Sequence, residues 1–594
     1  MAAREEYRNR LQRWRASFEQ SDTRFRQLSN ARLFTGLAGV VIAAVSLGAS
    51  WISPWWLLAP IAVFAAFAVM HERVVRVRTV SSRAVSYYDG AVARMENRWA
   101  GKGRQGTEFR EPKHVYADDL DLFGEGSLFE LLSTARTSTG ERTLANWLLV
   151  PGEIEAVRER QAAVAELRDR LDLREEIALM GEDVRAGVDD KAVTEWGSGA
   201  PVRFIPGARW IASALSCAMV IAAALSLAQV TSVLPVLIVV LAELVFAILM
   251  RDPVRAVLGS VSTPAHDLHL LGLLLARLEK EQFQSDHLKR LTHSLDAARL
   301  TASAEIHKLE KLVDRLDWAR NSFFRIFAAM LVWIPQFAMA IERWRVQNGP
   351  HIGEWIASAG EFEALCSLAT FSYEREDAVF PELVESSAPL FQAQALRHPL
   401  IAATAAIAND VLLSHQCAVW IVSGSNMSGK STLLRSVGIA TVLAWAGAPV
   451  TCGSLRVSRV KVGASIRIND SLADHKSRFY AEISRLRDVV ELARAGEPLL
   501  FLLDELLSGT NSHDRRIGAS AVLKGLAERG AIGLVTTHDL ALTGIAESLS
   551  THARNVHFED QMVGGEMHFD YQLREGVVER SNALELMRSV GLDV

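Results

Sequence analysis

Apolar residues collect in four long runs, at 33–51, 52–70, 210–230 and 233–250. Each is about 18 to 21 residues, enough to cross a ~30 Å hydrocarbon layer as a helix. The second run follows the first at once and is broken by Ser53-Pro54; the connection between the third and fourth carries no charge. The pattern therefore predicts two transmembrane hairpins with short tips. Trp51, Trp55, Trp56 and Trp210 stand at the ends, where amphipathic rings prefer the interface. Glu243 is the awkward residue of the fourth run. At mid-bilayer it costs about 2.5–3.5 kcal/mol, against Val, Leu, Ile and Phe side chains worth about −0.3 to −0.6 kcal/mol each. The run carries thirteen of these, so insertion is expected to survive, with Glu243 protonated or paired within a bundle. Arg24, Arg26 and Arg32 precede the first run and Arg73, Arg76 and Arg78 follow the second; Arg203 and Arg209 precede the third and Arg251 and Arg255 follow the fourth. The hairpin tips carry no basic residue, so the positive-inside rule places both termini and residues 72–209 in the cytoplasm, at the inner membrane. The charge-rich lead of about 32 residues is far longer than the n-region of a signal peptide. A fifth apolar stretch, 326–341, holds Pro335 and Gln336 between Arg325 and Glu342. It is read as a buried or membrane-leaning helix, because a fifth span would move everything after it across the membrane.

Between these runs the periodicity is helical. Residues 1–32 form a charged helix leading into the first hairpin at 33–70. Residues 71–119 are a basic helix and linker, interrupted by the Gly/Lys/Arg-rich stretch 101–106. Helical spacing returns with Leu128, Leu131, Leu132, Leu144, Trp147 and Leu148, punctuated by Pro151-Gly152. Residues 265–318 read as one long Leu- and charge-rich helical stretch suited to a lever arm. From about Leu390 the pattern changes: short β-rich runs at 418–422, 499–503 and 532–536 alternate with helices, which predicts an α/β domain with a largely parallel sheet.

Composition narrows the class. The chain has 594 residues, 64 Lys and Arg against 69 Asp and Glu (net −5), and 49% hydrophobic residues; its mean hydropathy is +0.13. A disordered chain would be less apolar and more highly charged. A near-neutral balance argues against a globally basic nucleic-acid binder and leaves room for a local basic patch. Cys217, Cys366, Cys417 and Cys452 show neither C-x-x-C nor zinc-ligand spacing, and are read as small buried residues in a reducing compartment.

The candidate chemistry lies near the C-terminus. Gly424-Ser425-Asn426-Met427-Ser428-Gly429-Lys430-Ser431 fits G-x-x-x-x-G-K-[ST], after a strand and before the helix that Thr432 enters. Its glycines let backbone N–H groups turn toward phosphate oxygens, Lys430 reaches the β- and γ-phosphates of ATP, and Ser431 holds Mg²⁺. About 70 residues on, the apolar run 499–503 ends in Asp504-Glu505: Asp504 for Mg²⁺, Glu505 to polarise the attacking water. Ser508-Gly509-Thr510-Asn511-Ser512 is a small hydrogen-bonding loop able to meet phosphate across a dimer interface, and His538, at the end of the next strand, is placed to contact the γ-phosphate.

Together these residues resemble the ATPase domain of the MutS mismatch-repair family. Arg397-His398-Pro399, Asn409-Asp410, Ser477-Arg478-Phe479 and Glu482 match at the family's spacing. Thr134-Ala135-Arg136-Thr137 and the stretch from Gly152 to Arg158 resemble the start of the MutS core, or lever. The resemblance covers about 120–200 and 260–594. Together with the apolar runs it gives a multidomain chain: the runs predict four transmembrane helices in the N-terminal half, and the resemblance implies a helical MutS-like core in two parts (120–200 and 260–385), interrupted by the second hairpin (210–250), and a C-terminal α/β P-loop ATPase domain of ABC type (390–594). It implies that Asn426 lies near the catalytic water, that Gly509, Thr510 and Asn511 complete the partner subunit's site in a homodimer, and that Ile407 packs on adenine. The family often has an aromatic residue where Ala406 stands. No counterpart of the mismatch-reading domain is found; Phe123-Gly124-Glu125 fits the string of its wedge motif but sits at the start of the lever. The expected function is a membrane-anchored ATPase whose nucleotide cycle moves lever helices, with DNA as a family-implied partner and membrane lipid as the other. The alternatives are membrane remodelling, transport coupling or a nucleotide-switched scaffold. The basic segments 73–83 and 98–110 suit either DNA phosphates or lipid headgroups.

Overall fold

The computed structural model describes residues 2–48, 52–187, 189–297, 300–321, 324–425, 427–467, 478–549, 552–563 and 566–578. Trp51, Asn426 and Ser477 lie outside them. The charged N-terminal stretch and the first apolar run are one continuous helix, α1 (Ala2–Ala43), which returns as α2 (Leu58–Met95). The membrane-length half of this hairpin turns Leu33, Leu37, Val40, Ile61 and Val69 outward. The other half is a stem: Tyr7, Leu11, Tyr88 and Ala91 pack with Leu171 and Ala178 of the core. Arg10 and Trp14 both bond the Glu175 carboxylate there.

The helical core comprises α3 (Ser138–Leu149), α4 (Ile154–Arg168), α5 (Leu171–Gly187) and α6 (Asp190–Ser198). Thr137 and Asp189 cap α3 and α6 by accepting from backbone N–H groups, the role their short oxygen-bearing side chains favour. The second hairpin follows as α7 (Ala208–Leu227) and α8 (Leu234–Leu249). At 16 residues α8 is only about 24 Å long. It continues after a 61° bend into α9 (Arg251–Leu278), and among the described residues three helices are by themselves long and apolar enough to cross a membrane, or four if the bent pair counts as one span. Glu243 is buried within the hairpin, and its Oε1 has no hydrogen-bond partner. Cys217, expected to be buried, is exposed on α7, because the apolar surface of that helix faces outward; all four cysteines are free.

The expected single helical stretch at 265–318 is broken. α9 stops at Leu278, a short helix spans Asp286–His293, and α10 (Ala302–Asp317) comes after it. The break is pinned from α4: Glu166 accepts from the N–H groups of Gln284 and Ser285, while Arg170 lies over the Phe283 ring. The apolar stretch 326–341 is likewise two helices, Arg325–Met330 and the start of α11 (Trp333–Glu374), divided at Val332, whose φ is +45°. With 42 residues, about 63 Å, α11 is the spine of the core. It passes α6 so closely that a Cβ on Gly349 would fall 2.1 Å from the Gly197 carbonyl oxygen, so this crossing requires glycine.

Among the described residues, the C-terminal part holds two larger sheets beside a short antiparallel pairing of Ala378–Val379 with Val450–Thr451. A four-stranded one joins Glu382–Val384, β1 (Leu390–Leu396), β2 (Asn409–Ser414) and β4 (Ser454–Ser458). The larger contains β3 (Val419–Ser423), β5 (Lys461–Ser465), β6 (Leu499–Leu503), β7 (Ile532–Thr537), β8 (Ala553–Val563) and β9 (Glu566–Glu575). Its order is β5-β6-β7-β3-β8-β9, parallel throughout except for the final β8–β9 hairpin. β3, β6 and β7 are buried along their whole length, as their unbroken apolar runs require when helices cover both faces. α12 (Lys430–Ala446), α13 (Arg478–Arg494) and α14 (Ser512–Glu528) accompany them. Asp119 ties this part to the segment before the core: its buried carboxylate accepts from Ile466 N, Arg467 N and the Arg485 guanidinium at 2.6–2.8 Å.

Candidate functional site

The ends of β3, β6 and β7 meet at one edge of the sheet, where a crevice beyond the carboxyl ends of parallel strands is the usual place for a ligand. β3 runs directly into the glycine loop. Gly424 has φ +151°, and a Cβ there would meet Ser428 Oγ at 2.9 Å and Phe558 O at 3.0 Å. Gly429, with φ +104°, is the N-cap of α12, so the loop delivers that helix's free N–H groups to the crevice. Lys430 is buried, and its Nζ donates to the carbonyls of Gly424 (2.8 Å) and Ser425 (2.7 Å). Burial lowers its pKa, opposed by Glu505, Asp504 and Asp560. The hydroxyls of Ser425 and Ser428 are buried without a partner. Polar atoms left in this state cost about 1–3 kcal/mol each, and an anion in the loop would satisfy them.

A cavity of about 610 Å³ opens over the loop. It brings together Ile407, Met427, Gly429, Lys430, Ser431, Thr432 and Glu505 from the sequence reading, and adds His398, Phe558 and Tyr571. Asp504 and Glu505 end β6, with β7 between them and the loop. Thr536 of β7 locks this end: its hydroxyl donates to Asp504 Oδ1 and accepts from Glu505 N. Glu505 has φ +48° and lies 3.6 Å from His538 Nδ1. Ser431 with Asp504 is a hydroxyl and carboxylate set suited to Mg²⁺, the hard cation that travels with nucleotide phosphates.

Gly509, Thr510 and Asn511 are not among the cavity's lining residues. Asn511 caps α14 by accepting from Asp514 N, and Arg515 holds the loop from behind through the carbonyls of Leu507, Ser508 and Thr510. Ile407 lines the cavity and is 40% exposed, which leaves its face open to a ligand. Phe558 and Tyr571 are aromatic lining residues that sequence reasoning missed. Tyr571 sits on β9, its ring edge 3.2 Å from where a Gly429 Cβ would stand, and Asn409 fixes that strand through Tyr571 O and Leu573 N. Only the β8–β9 pairing returns it to the loop, and no local pattern marks it. His398, read as part of a motif, turns out to line the cavity; burial pushes it down to about 4, and its Nδ1 accepts from Leu400 N.

With this geometry in place, comparison with known proteins is direct. A family model described as MutS domain III matches residues 114–415, and MutS domain V matches 420–593. An Endonuclease MutS2 of Thermomicrobium roseum is 32% identical over 228 residues, 36% of this chain and 28% of that protein. A DNA mismatch repair protein MutS of Brevibacillus brevis is 33% identical over 249 residues, 41% of this chain and again 28% of the relative. The chain thus matches little more than a quarter of the length of these curated relatives. The domain III model alone covers half of the sequence and the domain V model nearly all that follows, so the chain belongs to the MutS family.

Proposed function

We propose that this chain is a membrane-anchored MutS-family ATPase that works as a dimer. The observation that carries this is the glycine loop between β3 and α12, with a buried lysine and two partnerless buried hydroxyls, set one strand away from Asp504-Glu505. ATP would lie in the cavity with its phosphates along residues 424–432 and its base toward Ile407 and Tyr571. Mg²⁺, held by Ser431 and Asp504, would neutralise phosphate charge. Glu505 would take a proton from the water attacking the γ-phosphate, releasing ADP and phosphate, with His538 against Glu505 orienting that carboxylate. Gly509, Thr510 and Asn511, which do not line the chain's own cavity, suit a role in the partner's site.

The exposed apolar helices support anchoring by four spans, α1, α2, α7 and α8 with its bent continuation, with both termini in the cytoplasm. DNA is the partner that the relatives' names suggest. Five arginines of the basic segments considered for it already have carboxylate partners in the chain: Arg76 pairs with Glu72, Arg78 with Asp22, Arg98 with Glu96, Arg104 with Glu141 and Arg110 with Asp118. That favours the second reading, in which the nucleotide cycle acts on the membrane hairpins.

The test is ATPase rate in lipid nanodiscs, with and without duplex, mismatched and branched DNA. Lys430→Ala is expected to abolish ATP binding. Glu505→Gln is expected to keep binding and lose turnover by about 100-fold or more; wild-type turnover in that variant would remove Glu505 as the base. Stimulation by DNA that falls with salt would favour the DNA reading. Turnover that responds to lipid and ignores DNA would favour the membrane one.

A further inference from the structure

The connection between α10 and α11 is the least soluble-looking surface outside the candidate spans. Trp318 is 56% exposed, Ile326 67% and Phe327 60%. These residues do not dangle. The Trp318 and Trp333 rings stack 6.4 Å apart, Phe324 meets Trp333 edge-on at 5.1 Å, and Phe337 closes on Trp333 at 4.6 Å. Trp333 Nε1 donates to the carbonyl of Arg315 at the end of α10. A rigid aromatic platform therefore holds the short helix Arg325–Met330 with Ile326 and Phe327 facing outward, and exposed Arg315 and Arg325 flank it.

The same connection is bonded to the second hairpin. Where the helix breaks, the freed carbonyl of Leu331 accepts from Ser216 Oγ at 2.7 Å and from Gln336 Nε2 at 2.8 Å, and Gln336 Nε2 also reaches Ser216 Oγ at 2.9 Å. Ser216 lies six residues beyond exposed Trp210 on α7, about 9 Å further along the helix. If Trp210 marks the interface, the polar knot stands at or inside the headgroup layer. A broken helix at that depth is tolerated when side chains satisfy the freed backbone group, as Ser216 and Gln336 do here. Tryptophan, arginine and large apolar side chains gathered along one short connection are the composition of an interfacial anchor.

The geometry points to residues 318–321 and 324–334 as a membrane foot: a monotopic element that sets Ile326 and Phe327 into the boundary between lipid headgroups and acyl chains, beside the second hairpin. Its occupant is the bilayer, because the Ser216–Leu331–Gln336 knot bonds this exposed apolar connection directly to α7, a span-length helix whose own Trp210, Val220 and Ile221 face outward. The foot ends one side of α11, and the other end of that helix is tied to the stem of the first hairpin through the Arg94–Glu374 ion pair and the Tyr7–Tyr373 contact. A displacement of the lever would thus be felt at two places on the membrane. This inference rests on the membrane reading of α7 and α8.

The test separates the two. Single nitroxide labels are placed at Phe327→Cys, at Leu241→Cys on α8 and at Leu273→Cys, an exposed position on α9, in full-length protein carrying Cys217→Ala and Cys417→Ala. The protein is reconstituted in phosphatidylcholine/phosphatidylglycerol nanodiscs, and the collision rates of each label with oxygen and with a water-soluble nickel chelate are measured. The foot requires the oxygen-to-nickel ratio at 327 to rise several-fold above that at 273, toward the value at 241. A lipid-like ratio at 241 with a water-like ratio at 327 overturns the foot and leaves the spans standing. A water-like ratio at 241 overturns the spans, and the foot with them.

Discussion

At the scale of single residues, the site depends on groups whose burial is unusual for their type. Lys430 stays buried because two loop carbonyls and three nearby carboxylates compensate its desolvation. If ATP occupies the cavity as proposed, Tyr571 would contribute through its ring: Tyr571→Ala is expected to raise the KM for ATP about five- to tenfold, the worth of one packed aromatic face, while Tyr571→Phe keeps it. An unchanged KM in the alanine variant would remove Tyr571 from the site. His398 gives a pH prediction. Burial holds it near 4, whereas the unfolded chain takes up a proton near the ordinary 6.5. Between those values the unfolded state binds more protons, so the stability His398 contributes above pH 6.5 is lost as the pH falls toward 4. The thermal midpoint should drop across that window, and His398→Gln should flatten part of the slope; an identical slope would contradict the assignment.

At the scale of elements, the decisive contacts lie between parts far apart in sequence. Asp119 receives three hydrogen bonds from the far side of the chain, among them the Arg485 guanidinium. Asp119→Asn leaves that charge with a neutral partner and one acceptor fewer. The expected cost is about 3 kcal/mol, read as a lowered unfolding midpoint, with ATP affinity retained if the variant stays folded. α11 shows why the lever was only partly legible. Its apolar content is plain in sequence, and so is a reason for the break at Val332: Pro335 has no N–H to give the Leu331 carbonyl four residues back. The interruption of 265–318 by Glu166 and Arg170 is a tertiary decision. The glycine loop is the opposite case: spacing alone placed Gly424, Gly429 and Lys430, because a loop that turns backbone N–H groups inward tolerates few other residues at those positions.

At the scale of the whole molecule, the proposed dimer makes a prediction that no single chain can satisfy. If residues 509–511 act in the partner's site, Lys430→Ala and Asn511→Ala chains are each nearly inactive alone. Mixing them in equal amounts should restore about a quarter of the wild-type rate, since half of the dimers are mixed and each of those has one complete site. No recovery on mixing, with dimers confirmed by light scattering, would place these residues in their own chain's site.

The sequence by itself determined the membrane-length apolar runs, the glycine loop between a strand and a helix, the Asp504-Glu505 pair at a strand end and the family, because each is written in short local patterns of residues: the length of an apolar run, or the glycines a tight loop requires. Only the tertiary structure decided where the 265–318 stretch breaks, that Cys217 faces outward, that Tyr571 and His398 line the cavity, and that Arg78 and Arg104 meet Asp22 and Glu141. These depend on how elements distant in sequence come together, and no local pattern in the chain records which residues such folding places side by side.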